Sequence, residues 1–160
     1  AFYFGPVWAE HRNTANPTMI DSDNVLLLRP AWAGAALSKP AQPRAGRGAT
    51  ALPRGLVLAT VFHLKAPAGA ELLAQARGPL SDALRAAGAS QLAWYVTEAT
   101  PNNFPRLPVR EGEQVLVSLA LFNDASAALS RDFAASLQPW LAKPTQTLRL
   151  VPTARSAIHS

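Results

Sequence analysis

Read as apolar and polar positions, the chain is a series of short apolar runs separated by Pro- and Gly-rich breaks. The longest β-like run is Gly55–Leu64, GLVLATVFHL, set between Pro53 and Pro67. Its odd positions are Val57, Ala59, Val61 and His63, and its even ones Leu56, Leu58, Thr60, Phe62 and Leu64. Neither set is properly polar, so the pattern predicts a central strand covered on both faces. Pro67 then opens a helix predicted to run to about Ala87, with Leu72, Leu73, Ala76, Leu80, Leu84 and Ala87 on one face. Gly78-Pro79 should kink it and Gly88 should end it. Gln91–Glu98 reads as a strand, Pro101–Glu113 as a loop and Gln114–Phe122 as a second long β run. Asp124 is a plausible N-cap for a helix to about Leu141, with Leu129, Phe133, Leu137 and Leu141 spaced by four. Thr147–Val151 is the last strand, closed by Pro152. The order β-α-β-β-α-β is the ferredoxin-like pattern of an α+β domain.

The segment ahead of this unit is less regular. Residues 1–19 predict an imperfect helix with Phe4, Val7, Trp8, His11 and Ala15 on one face, ended by Pro17. A turn at Asp21-Ser22-Asp23-Asn24 leads into a strand, Asn24–Arg29, closed by Pro30. Residues 31–54 hold Pro, Gly and Ala with no apolar period and read as a flexible linker. The expected organisation is therefore 1–30 as a helix–strand segment, 31–54 as a linker and 55–160 as the ferredoxin-like unit. A faint repeat supports it: Val25-Leu26-Leu27-Leu28-Arg29-Pro30 stands against Leu148-Arg149-Leu150-Val151-Pro152, each after a helix. The first copy resembles only the last α-β of a unit, the beginning of which is expected to be missing, cleaved or disordered.

Charge matters only once it is located. Of the net +5, residues 31–54 contribute +4 from Lys39, Arg44, Arg47 and Arg54 with no acid, and the remainder is near neutral. A nucleic-acid binder needs a basic stripe on a folded face, and a basic linker is more simply solvated. At 49% hydrophobic and 16% charged the chain can bury a core, while no run reaches the ~20 apolar residues of a membrane-spanning helix. Without a signal-peptide pattern, a cytoplasmic location is expected. Cysteine is absent, which removes disulfides and thiolate chemistry. Arg outnumbers Lys twelve to three in an Ala-rich chain, pointing to a GC-rich bacterial source.

Two motifs give the chain a resemblance. One is Gly5-Pro6-Val7-Trp8-Ala9-Glu10-His11-Arg12 with the Asp21–Pro30 stretch. The other is Thr147-Leu148-Arg149-Leu150-Val151-Pro152-Thr153-Ala154-Arg155-Ser156. With the repeat, they resemble the NIPSNAP family within the dimeric α/β-barrel superfamily. The resemblance covers 55–156 as a whole unit and 1–30 as the tail of another. It implies ferredoxin-like sheets pairing face to face into a barrel, either between two chains or between tandem units. It implies no settled enzymatic activity. Related barrels include cofactor-free monooxygenases, haem-dependent enzymes and small-ligand binders, and fold alone does not choose among them.

In such a unit one sheet face packs on the helices and the other faces the partner sheet. Taking the more polar register as the partner face gathers Ala59, Val61 and His63 with Ala93, Tyr95 and Thr97. It adds Leu116, Ser118, Ala120 and Phe122, and Arg149. His63, Tyr95, Thr97, Ser118, Phe122 and Arg149 are the candidate ligand-binding residues, around a small apolar ligand. The same side chains would equally fill an ordinary sheet–sheet interface. His63 is the one candidate for chemistry, as a general base or an axial haem ligand, or else a hydrogen-bonded structural residue. The expectation is no cofactor, with haem as the alternative, and no metal, because His11, His63 and His159 are scattered. Glu111 and Glu113 flank Gly112 and read as a solvated turn. Asn102-Asn103-Phe104 reads as a turn or as a cover over a pocket mouth. Trp94, opposite in face to Tyr95, should pack under a helix. There is no phosphate loop and no nucleophile elbow. The leading expectation is a NIPSNAP-like ligand-binding or interaction module that self-associates or pairs with an upstream unit. The alternative is a cofactor-free monooxygenase-like or isomerase-like enzyme.

Overall fold

Alternating residues of the central apolar run fill two faces of an antiparallel sheet, and that sheet carries the fold. The computed structural model of the chain describes residues 4–18, 24–38, 43–104, 107–123 and 135–159. Its strands are β1 Leu28–Pro30, β2 Leu56–His63, β3 Ala89–Thr97, β4 Val115–Phe122 and β5 Gln146–Leu150, and its helices α1 Pro6–Ala15, α2 Ala70–Gln75 and α3 Ser81–Ala86. The strands form one five-stranded sheet in the order β1-β3-β4-β2-β5, every neighbour antiparallel. The protein is thus mixed α+β, and the order β3-β4-β2-β5 is compatible with a ferredoxin-like unit.

The register separates the faces. Leu58 stands opposite Ala120, and Phe62 opposite Leu116. These even-numbered residues join Leu56, Trp94, Val96 and Phe122 in one buried core with Leu72, Ala76, Leu80 and Leu84 from the helical segment and Leu137 and Leu141. Trp94 is 2% exposed there, with its ring centroid 6.3 Å from that of Phe62. It lies under the helical segment, as its position in the alternation predicted.

The kink expected at Gly78-Pro79 is a π turn. Residues Ala76–Leu80 wind with π geometry between α2 and α3, with Pro79 inside. Proline has no N–H to donate and its ring crowds the carbonyl four residues back, so the turn widens by one residue. The widened turn is closed by Ser81, whose hydroxyl donates to the Ala76 carbonyl at 2.6 Å. The same hydroxyl accepts from the Trp94 indole Nε1 at 3.0 Å. Gly88 follows with φ +101, the left-handed conformation that ends a helix where glycine is favoured.

Several expectations change. The strand predicted at Asn24–Arg29 is the short edge strand Leu28–Pro30, and an edge is where proline is tolerated. It pairs with β3, so it is a strand of the same sheet as 55–151 rather than part of a separate segment. The chain divides into two units, residues 1–27 with 100–111, and 28–99 with 112–160. In the smaller unit α1 has no buried residue, and Phe4 and Val7 are exposed, so the predicted apolar face packs little there. Asn102 builds its loop: Oδ1 accepts from Phe104 N at 3.0 Å, and Nδ2 donates to Leu107 O at 2.7 Å. The turn reading accounts for that asparagine.

The start of the 31–54 linker is packed. Ala31 N donates to Trp94 O at 3.0 Å and Trp94 N donates to Ala35 O at 2.9 Å, with both alanines buried. The helix expected from Asp124 lies outside the described residues up to 134, including Leu129 and Phe133. Its end, Ala135–Trp140, is a 3-10 turn carrying Pro139, with Leu137 fully buried.

Candidate functional site

The best-formed polar constellation lies where β2 ends. His63 stands opposite Val115, and Val115 opposite Thr97 in the continuing alignment, so one row of the sheet runs His63–Val115–Thr97. Two residues before Val115 is Glu113, just after the turn at Gly112, where φ is +75. The Thr97 hydroxyl holds that corner: it donates to Glu113 O at 3.0 Å and accepts from Val115 N at 2.8 Å. Glu113 Oε2 then lies 3.3 Å from His63 Nδ1. The chain after the 3-10 turn supplies a third member. Ala142 N donates to His63 O at 2.8 Å, and the next residue, Lys143, places Nζ 3.8 Å from the same Glu113 oxygen.

The His63 side chain is 8% exposed and that of Glu113 30%, so the imidazole is buried while the carboxylate reaches solvent. The contact falls at ion-pair distance and outside hydrogen-bond geometry, so it is electrostatic rather than a directed bond. Sequence reasoning finds His63, places Glu113 only in a solvated turn and misses Lys143. The signal that joins them is the antiparallel pairing of the two long apolar runs, which brings positions fifty residues apart together.

The predicted ligand-binding set does not share one face. His63, Tyr95 and Thr97 do: Val61, Val117 and Tyr95 form the next row of the same face. Ser118 stands opposite Trp94 and Thr60, Phe122 opposite Leu56, and Arg149 opposite Leu58, all on the helix-side register. The correction is one residue of register in β4 and β5. A polar residue at Ser118 or Arg149 does not mark the outward face when its neighbours are Leu116, Ala120 and Phe122, which the helices need. Phe122 is 1% exposed in that core, whereas Arg149 is exposed on β5. Of the facing trio, Tyr95 is tied into the fold, its hydroxyl accepting from Leu37 N at 3.2 Å.

The outward face is also less bare than predicted. Val57, Ala59, Val61, Val117 and Leu121 are all buried within the one chain. Exposure is concentrated on β5, where all five residues are exposed, with Leu148 at 44%, Leu150 at 46% and the following Val151 at 71%. A separate cleft of about 980 Å³ is lined by Leu37 and Ser38, from residues 43–53, from Ser90–Leu92 at the start of β3 and from the tail 154–159. Among the described residues no cluster of side chains could hold a metal ion, and no helix is long and apolar enough to cross a membrane.

Compared with protein-family models, curated proteins and solved structures, the chain matches none.

Proposed function

We propose that the protein is a NIPSNAP-like interaction module that pairs its sheet with an equivalent unit, a second copy of this chain, to build a dimeric α/β barrel around a small apolar ligand. The observation that carries this reading is β5. It is an edge strand exposed along its whole length, and it presents Leu148 and Leu150 beside Val151. An exposed edge offers unpaired backbone groups, and an apolar one invites another sheet. Pairing there would also wall off the face that carries His63, Tyr95 and Thr97. Light scattering on the 160-residue chain should give a dimer. Leu148→Glu should convert it to a monomer at micromolar concentration with little change in melting temperature. A monomeric parent chain, or a dimer that keeps its mass in Leu148→Glu, would rule the reading out.

The His63–Glu113 contact favours a second reading, a cofactor-free enzyme of the monooxygenase or isomerase type with His63 as general base. Base-promoted ring opening of 5-nitrobenzisoxazole is a substrate-independent probe for such a base. The chain should accelerate it, and His63→Ala should lower the rate by roughly 100-fold. An unchanged rate in His63→Ala rejects this second reading and leaves the first standing.

A further inference from the structure

We propose that the cleft between Leu37, Ser38 and residues 43–53, the start of β3 and the tail is a binding site for a small carboxylate with an apolar body. The site is independent of the β5 surface and of the His63 cluster. Its volume, about 980 Å³, is at the upper end of what small-molecule sites usually offer. About half of its lining is apolar, with Leu37, Leu52, Leu92 and Ile158 contributing from all three segments. Leu52 lines it while 72% exposed, so this leucine lacks the cover that a ligand's apolar body would supply.

The cleft carries a guanidinium, that of Arg44, and no carboxylate among the described residues; His159 also lines it. Arg44 belongs to the 31–54 stretch, which carries four basic residues and no acid. A single guanidinium beside leucine and isoleucine suits a monoanion that is only partly hydrated. A phosphate would want several donors, but a carboxylate can take the planar fork of one arginine.

The floor and the closure of the cleft are built features. The ladder between β3 and β4 is irregular between Ala89 and Gln91, a β-bulge at Ser90. Ser90 Oγ donates to Leu121 O at 3.2 Å, which anchors the bulge to β4. Bulges commonly re-aim side chains beside binding sites. Opposite, Arg155 Nε donates to Ala45 O at 3.1 Å and ties the tail to the basic stretch. The tail is itself turned by Ser156, whose hydroxyl accepts from Thr153 N at 2.9 Å.

Isothermal titration calorimetry of the full chain with octanoate and with octanol tests the assignment. Octanoate should bind, and octanol, with the same body and no charge, should bind several-fold more weakly. Arg44 is exposed, so Arg44→Ala should leave the melting temperature unchanged. It should weaken octanoate about tenfold, the scale of one charge-assisted hydrogen bond, and leave octanol unchanged. Leu52→Asn should weaken both. Absence of octanoate binding, equal affinity for the two probes, or octanoate binding unaffected by Arg44→Ala would each overturn the proposal.

Discussion

The Ser81 hydroxyl offers the sharpest test of how the helical segment is held on the sheet. It sits between two groups that need it, the Ala76 carbonyl at 2.6 Å and the Trp94 indole N–H at 3.0 Å. Ser81 and Trp94 are each 2% exposed, so water does not replace a lost partner. In Ser81→Ala the carbonyl keeps the bond it accepts from the Ser81 backbone N–H, which does not depend on the side chain. The indole N–H is left buried without its acceptor. A stranded buried donor costs about 1–3 kcal/mol. For a chain of this size that lowers the melting temperature by roughly 2–4 °C per kcal/mol, so by about 4–8 °C at the middle of the range. The control is Trp94→Phe, which removes the donor and some core volume together. In that background Ser81→Ala has no indole to strand, so it should cost about 1 kcal/mol less, within the usual range for coupled neighbours. Urea unfolding of the four proteins, followed by far-UV circular dichroism, closes the cycle. If Ser81→Ala costs the same with Trp or Phe at position 94, the hydroxyl is not the partner of the indole, and the account of the π turn fails.

Glycines near this segment should respond with opposite signs. Gly88 has φ +101 and open space, with nothing within 4 Å of the point where a Cβ would stand, so Gly88→Ala should destabilise by about 1 kcal/mol through backbone strain alone. Gly78 has equal space and no positive φ, so Gly78→Ala should be neutral or stabilise by up to about 1 kcal/mol, and thermal melts of the pair check both. Trypsin at low ratio should cut first at exposed Arg44, Arg47 or Arg54, with mass spectrometry of the first fragments as readout. Earlier cleavage at Arg77 or Arg85, in the helical segment, would place the weak point of the fold elsewhere.

The fold was legible where the signal is local. Long apolar runs placed β2 and β4 within a residue or two, because a strand needing cover on both faces cannot hide its composition. Pro79 lacks an N–H to donate and Gly88, being glycine, takes a positive φ without cost, and these two properties placed the distortion and the helix end. Local signal misled at 24–37. Leu26 and Leu27 looked like strand, and Ala31–Ala35 looked like linker, yet the ladder with β3 starts at Leu28 and the alanines clasp the backbone of Trp94. Small residues without a period read as loose chain, but they are also what lets a loop lie against a sheet edge beside two tryptophans. Trp32 and Trp94 have ring centroids 6.4 Å apart.

The candidate site was legible only as far as one strand can show it. Odd positions of β2 point together, so His63 was found with Val61 and Ala59. Which residues of β4 join them depends on a register that no single strand contains. Choosing the polar register put Ser118 and Phe122 beside His63, and the helices reversed that choice. Leu116, Ala120 and Phe122 are large or close-packing residues at the positions opposite Phe62, Leu58 and Leu56, and the core claims them. Phe122→Glu therefore strikes the core, and it is Leu148 on β5 that can report pairing without unfolding the unit. Once Val115 is placed opposite His63, the rest of the cluster follows from chain geometry. The Gly112 turn has to deliver the chain just before β4 to the end of β2, and Glu113, two residues before Val115, arrives with it. The same argument explains Lys143: the bridge between Leu64 and Leu141 brings the chain after the 3-10 turn across the end of β2, two residues before the lysine. A carboxylate flanked by an imidazole and an ammonium is thus a consequence of three crossings at one sheet end, and no motif spacing in the sequence records it.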